Sequence, residues 1–248
     1  MKNFLRPLKL ACLAAASMLI VSCGGSADYR SILPADSFMT VSVNPASLMQ
    51  KCEAGDLDQH PLYVRIKAEL DKDQNLSAEE KEYLLALLKN PGESGINVES
   101  PFYVFSSSSF PYPTVVGKVN NEDNLHASLD VMAKEQICQP ISEADGYSFT
   151  TMNGGLLAFN NSTVLIVNVS GTTQTEKAKE AITNLLKQTA DNSIVKSGAF
   201  QKMEKQKSDI NFLASMEAIP ATYRNQISMG LPTEVKAEDI TLVGGLNF

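Results

Sequence analysis

The chain has 248 residues, 44% of them hydrophobic and 20% charged, no tryptophan, and a formal charge of −7. That composition is globular, neither disordered nor fibrous, and a chain of this size can bury a real core in one or two domains. No Lys/Arg cluster offsets the negative balance, which argues against nucleic acid or an anionic membrane surface as an electrostatic partner.

Lys2, Arg6 and Lys9 precede the apolar run Leu10–Val21, which Ser22 and Cys23 close. A positive segment feeding about a dozen apolar residues is the pattern of a secretory signal. It is shorter than the roughly twenty residues a membrane-spanning helix needs. Ile20-Val21-Ser22-Cys23 resembles the lipobox of bacterial lipoproteins, in which the cysteine becomes the acylated N-terminus. The resemblance implies a leader over 1–22, lipid attachment at Cys23, and a tether over 23–30 whose Gly24-Gly25-Ser26 is flexible. Each lipid CH₂ buried in the membrane then contributes about 0.8 kcal/mol. Loss of Lys2, Arg6 and Lys9 with the leader takes the formal charge from −7 to −10. The expected location is the cell envelope, anchored to the outer membrane. Asp28 is the one acid close after the cysteine, not part of an acidic cluster, and this favours the periplasmic face.

Of 4 cysteines, Cys12 leaves with the leader and Cys23 is acylated. Cys52 and Cys138 remain in a compartment that permits disulfides. A bond between them would close a long loop and add about 3–4 kcal/mol in the chain-entropy picture. The alternative is two buried thiols acting as small hydrophobes.

Phe38–Val43 alternates, with Met39, Val41 and Val43 on one side, and reads as a half-buried strand. Asn44-Pro45 caps and opens a short helix. A second helix starts at Pro61 with Leu62, Ile66 and Leu70 on one face. Ser77-Ala78-Glu79-Glu80 is a capping box for a third helix that stops at Asn90-Pro91-Gly92. Strands follow over Phe102–Ser106 and Thr114–Val119, split by the turn-rich stretch Ser107–Pro113. Asn121 caps a helix with Leu125, Leu129 and Met132 as its stripe. Tyr147–Met152 turns at Asn153-Gly154 into Leu156–Asn160, and the continuous apolar run Val164–Val169 reads as a central strand. Thr173-Gln174-Thr175-Glu176 is a second capping box, for a helix burying Ala178, Ile182, Leu185 and Leu186. A short helix over Ala199–Lys207 leads to a strand at Asn211–Met216, a helix from Pro220 and a last strand over Ile240–Phe248.

This order predicts an α+β domain over 31–208. Its sheet is mainly antiparallel with helices on one face, in the ferredoxin-like β-α-β-β-α-β order with added hairpin strands. Asp209–Thr222 loosely echoes Asp36–Ser47, so 209–248 reads as the start of a second, similar unit. The final strand has an open edge. Either a protein partner pairs there or the chain is the front part of a longer protein.

Ile32-Leu33-Pro34-Ala35-Asp36-Ser37 follows shortly after the lipobox. Asn90-Pro91-Gly92-Glu93-Ser94-Gly95-Ile96 leads into Pro101-Phe102-Tyr103-Val104-Phe105, and the chain closes on Leu242-Val243-Gly244-Gly245-Leu246-Asn247-Phe248. Through these stretches the chain resembles a family of large uncharacterised Bacteroidetes lipoproteins carrying a domain of unknown function. The resemblance implies the anchor, the compartment and an α+β fold in members longer than this chain. It brings no activity and no site residue.

No catalytic residue is assigned. His60 and His126 are the only 2 histidines, with no H-E-x-x-H pairing. No G-x-S-x-G elbow surrounds a serine. Asn153-Gly154-Gly155 lies between strands and reads as a turn, not a phosphate cradle. One stretch has ligand spacing. Asp71, Asp73, Asn75, Ser77, Glu79 and Glu82 fall at positions one, three, five, seven, nine and twelve of a loop resembling an EF-hand calcium site. Leu76 stands where that loop needs glycine, and the competing reading is an acidic inter-helix turn ending in the capping box. Calcium is the one cofactor the sequence suggests. The expected function is a lipid-anchored, non-enzymatic envelope protein that binds or scaffolds. The alternative is a carbohydrate- or peptide-processing enzyme whose acids converge only in the fold.

Overall fold

The computed structural model describes residues 28–51, 59, 61–74, 76–152, 154–169, 171–228 and 240–248. The leader, Cys23, the tether as far as Ala27, Cys52, His60, Asn75 and Asn153 lie outside the described residues. The strands are β1 (Ser37–Val43), β2 (Phe102–Ser107), β3 (Thr114–Lys118), β4 (Ser142–Ala144), β5 (Tyr147–Met152), β6 (Gly155–Phe159), β7 (Thr163–Asn168), β8 (Ile210–Ser215) and β9 (Thr241–Leu246). Helices α1 (Pro45–Lys51), α2 (Pro61–Lys72) and α3 (Ala78–Lys89) lie between β1 and β2 in the chain. Helix α4 (Glu122–Lys134) follows β3, α5 (Thr172–Leu186) and α6 (Gly198–Glu204) follow β7, and α7 (Ala221–Ser228) follows β8.

All nine strands join one sheet in the order β4-β5-β6-β7-β3-β2-β1-β8-β9. The β-α-β-β-α-β chain order is present and the fold is α+β. Every neighbouring pair is antiparallel, so β1 lies directly against β2 although three helices separate them in sequence. Both strands of 209–248, the stretch expected to open a second unit, lie in the same sheet, because β8 pairs with β1 and β9 with β8.

Successive residues of a strand point to opposite faces, and here both faces of β6 are apolar. On the first face, Leu156 and Ala158 join Tyr103, Phe105, Val116, Leu165 and Val167 beneath Ala178, Ile182 and Leu185 of α5 and Phe200 and Met203 of α6. On the second, Leu157, Phe159 and Val164 are covered by Leu125 and Leu129 of α4. This corrects the expectation of helices on one face only. A strand apolar on both sides needs cover on both.

The alternation of β1 takes its sense from its neighbours. Thr40, fully buried, and Ser42 face the main core, while Met39, Val41 and Val43 stand half-exposed on the second face. Register imposes this, since directly opposed residues share a face. Thr40 lies opposite Phe105, which is core, and Val41 opposite Val104, which is not.

Local signals behave as their chemistry requires, with one exception. The Asn44 side chain accepts from the Ser47 amide at 3.1 Å. Ser77 and Glu80 form the full capping box, and Asn121 accepts from Asn124. The Thr173–Glu176 box does not form. The cap of helix α5 falls two residues earlier, on Gly171, at φ 84 and without a side-chain cap, and the Thr175 hydroxyl donates to the Gly171 carbonyl.

Candidate functional site

Asp71 ends up in the last turn of α2, Ser77 caps α3, and Glu79 and Glu82 ride on α3. The Ser77 hydroxyl accepts from the Glu80 amide, and the Ser77 amide donates to Glu80 Oε2. Lys81 Nζ donates to the Asp71 carbonyl across the turn. Asn75 lies outside the described residues, and among those described no three His, Cys, Asp or Glu side chains gather to hold a metal ion. Cys138 is a buried thiol whose Sγ donates to the Leu129 carbonyl at 3.6 Å; its proposed partner Cys52 is not among the described residues. His126 meets the Phe159 ring edge-on at 4.9 Å, with Ser148 Oγ 3.4 Å from Nε2.

Three other features emerge. The first is a cleft of about 360 Å³ where the described chain begins, lined by Asp28, Tyr29, Arg30, Tyr103, Lys118 and Glu204 among others. Arg30 grips Asp28 at 2.8 Å and Glu204 at 3.0 Å. Tyr103 donates its hydroxyl to the other Glu204 oxygen at 2.8 Å, and Tyr29 donates to the Pro101 carbonyl. Burial drives both phenols well above the ordinary tyrosine range, so they act as fixed hydrogen-bond donors. Both carboxylates here are matched by donors, and the cluster clamps the Asp28–Arg30 segment to β2 and α6.

The second is a clasp at the opening of β8. The Asp209 carboxylate accepts from Lys51 Nζ at 2.7 Å, from Ser47 Oγ and from the Phe248 amide at 2.7 Å. These donors, Lys51 first, hold its pKa down at about 2. One side chain thereby ties α1, β8 and the end of β9 together.

The third is a surface. Register aligns Phe212, Val41, Val104, Val115 and Ile166 as a straight row across β8, β1, β2, β3 and β7 on the second face. Ile166 is 41% exposed, and Leu242 and Leu246 of β9 are 57% and 52% exposed. The Phe102 ring lies over Gly117 and the Phe212 ring over Gly244, where a Cβ would come within 2.5 Å and 2.3 Å of ring carbons. Glycine at these points lets aromatic side chains lie flat along the sheet. Beyond the part covered by α4, this face is a broad, half-exposed apolar surface.

It continues to β9, the last strand of the sheet among the described residues. The Asn44 amide donates to the Asp209 carbonyl, and the Met216 amide to the Ile240 carbonyl. Antiparallel ladders alternate, so odd residues of β8 bond to β1 and even ones to β9. On β9 the even residues therefore bond to β8, and Thr241, Val243 and Gly245 turn their amide and carbonyl groups outward. The opposite edge, β4, has three residues and carries Glu143.

Sequence reasoning missed the cleft and the clasp because their members lie far apart in the chain; the Tyr103–Glu204 bond spans 101 residues. No local spacing announces such a cluster.

A family model for a domain of unknown function, DUF4836, matches residues 29–248. The chain belongs to the DUF4836 family. Its DUF4836 match begins at Tyr29, two residues before the end of the segment read from sequence as tether. No curated protein matches the chain. Among solved structures, the DUF4836 fold is similar to crystal form IV of TP0453, with 9% identity and a TM-score of 0.44 over 77% of this chain and 65% of that one. It is also similar to crystal form III of TP0453, with 7% identity and a TM-score of 0.45 over 85% of this chain and 70% of that one. The chain thus spans 65% of the length of the first of these.

Proposed function

We propose that this DUF4836 protein is a lipid-anchored, non-enzymatic protein of the cell envelope that works as a binding or scaffolding module. The anchor is Cys23, and the body sits at the periplasmic face of the outer membrane, a placement supported by the Ile20-Val21-Ser22-Cys23 pattern and its basic, apolar lead-in. The observation that carries the binding reading is the apolar row from Phe212 to Ile166 running out to the exposed Leu242 and Leu246 of β9. A soluble domain ordinarily buries or interrupts such a surface, and a large exposed one marks an interaction site. The acids support the same reading: Glu204 and Asp209 are each engaged by donors from distant parts of the chain.

Intact-mass analysis of the protein purified from membranes tests the anchor. The expected species lacks residues 1–22 and carries acyl chains on Cys23, and Cys23→Ser abolishes the modification and releases the protein from the membrane fraction. An intact leader, or an unmodified protein recovered free in the cytosol, refutes the anchor. Turnover of envelope glycans or peptides by the purified chain refutes the non-enzymatic part.

A further inference from the structure

We infer that the anchored body meets the bilayer end-on. The end of the sheet that carries Pro101 and Lys118 faces the lipid headgroups, and the Asp28–Arg30–Glu204 clamp holds it at that angle. The inference rests on the Cys23 anchor and goes beyond it by naming the surface turned to the lipid.

The first observation is reach. Asp28 comes five residues after Cys23, and five residues span at most about 18 Å. Acyl chains buried in the leaflet keep the Cys23 sulfur at headgroup depth, so Asp28 lies no farther than that from the membrane surface. Tyr29 donates to the Pro101 carbonyl, which stands just before β2, and Lys118 closes β3 in the same cleft. The tether thus enters at this end of the sheet. From Pro101 along β2 to Ser108 is roughly 23 Å at about 3.3 Å per residue. With the opposite end down, Asp28 would stand beyond the reach of its tether. Strands β3 and β2 are the fifth and sixth of nine, so the attachment is near mid-sheet and favours neither margin.

The second is rigidity. Arg30 holds the Asp28 carboxylate with Nε at 2.9 Å and Nη2 at 2.8 Å, and reaches Glu204 with Nη1 at 3.0 Å. Tyr29, Ile32 and Leu33 are buried directly behind it. The chain is therefore fixed to the body from Asp28 onward, with no slack lead about which the body could swing.

The third is charge. The acids of this end are neutralised: Asp28 and Glu204 by Arg30, and Asp209, where β8 opens beside β1, by Lys51. Glu99 is exposed here, and Lys118 in the cleft brings the opposite charge. The helical faces instead carry exposed acids, Asp123 and Asp130 on α4 and Glu180 on α5. Lipid phosphates meet less repulsion at the matched end than at either face. The tether imposes the contact, and this charge pattern lets an acidic body accept it.

The chain has no tryptophan, so an introduced one reports its own site. The test places the full acylated chain in phosphatidylcholine vesicles that carry a nitroxide quencher on the headgroup. Glu99→Trp marks the membrane end and Ser108→Trp the opposite end of β2, both at exposed positions, and thermal melts confirm that each variant folds. Glu99→Trp is expected to be quenched several-fold more strongly than Ser108→Trp. Inserting about ten Gly/Ser residues after Ser26 adds about 35 Å of reach and is expected to erase the difference. Arg30→Gln, which opens the clamp, is expected to shrink it. Equal quenching at the two sites on the native tether, or a difference that survives the insertion, overturns the inference. Intact mass reads Cys23 separately: an unacylated chain sinks the anchor and this inference with it, whereas an acylated chain with equal quenching sinks this inference alone.

Discussion

Thr40 offers a sharp test of the β1 register. Its side chain is fully buried against the main core, and its hydroxyl has no hydrogen-bond partner among the described residues. A buried hydroxyl without a partner costs about 1–3 kcal/mol on mutational scales. Thr40→Val keeps the branched shape and strand preference while removing the stranded oxygen. Allowing for imperfect fit of the second methyl beside Phe105 and Leu213, its cross-strand neighbours, the expected gain is about 1–2 kcal/mol. For a chain of this size that raises Tm by roughly 2–8 °C. Ser42, two residues on and on the same face, is the control. Its hydroxyl accepts from Asn211 Nδ2 at 3.3 Å, so Ser42→Ala is expected to cost about 1 kcal/mol. Urea midpoints and thermal melts followed by circular dichroism read both changes. If Thr40→Val destabilises the protein as much as Ser42→Ala does, then Thr40 is not an orphan facing the core and the register argument for β1 is wrong.

Three further outcomes are expected. The carboxyl of Asp209 is held at about 2, below its ordinary 3.8, so the clasp contributes fully above pH about 4 and is lost as pH falls towards 2; Asp209→Asn is expected to remove that part of the acid-unfolding curve. Gly95 sits at φ 90, where a Cβ would lie 2.2 Å from the Asn121 carbonyl oxygen and 2.5 Å from the Leu125 amide nitrogen. Gly95→Ala therefore forces backbone apart at the start of α4 and is expected to cost more than about 2 kcal/mol, seen as a lowered Tm. Melting curves in millimolar calcium and in chelator are expected to coincide, since the described acids of the loop are not gathered; a rise in Tm with calcium would instead support the loop as a site.

The sequence made local order legible and left long-range order hidden. The stripe of Ala178, Ile182 and Leu185 announces α5 and its buried face, because one helix repeat decides all three. The Ser77 box forms because both its hydrogen bonds lie within four residues. Its twin at Thr173 fails because Gly171, with φ 84, takes the capping position first. For β1, a period of two reveals that the sides differ but not which side meets the core. Pairing with β2 decides that, and the partner strand lies some sixty residues away. Helix cover on both faces likewise follows from where α4 and α5 dock, not from either helix pattern. Strand β4, with three residues, is too short to show any period.

The unequal ends of the sheet bear on what kind of assembly this fold permits. A ribbon that accepts neighbours at both margins grows without limit, and long cross-linked fibres are the usual penalty. Here one margin, β4, is a stub of three residues bearing a carboxylate. It offers too little backbone for another sheet to join, so a fibre built edge on edge has no hold at that end.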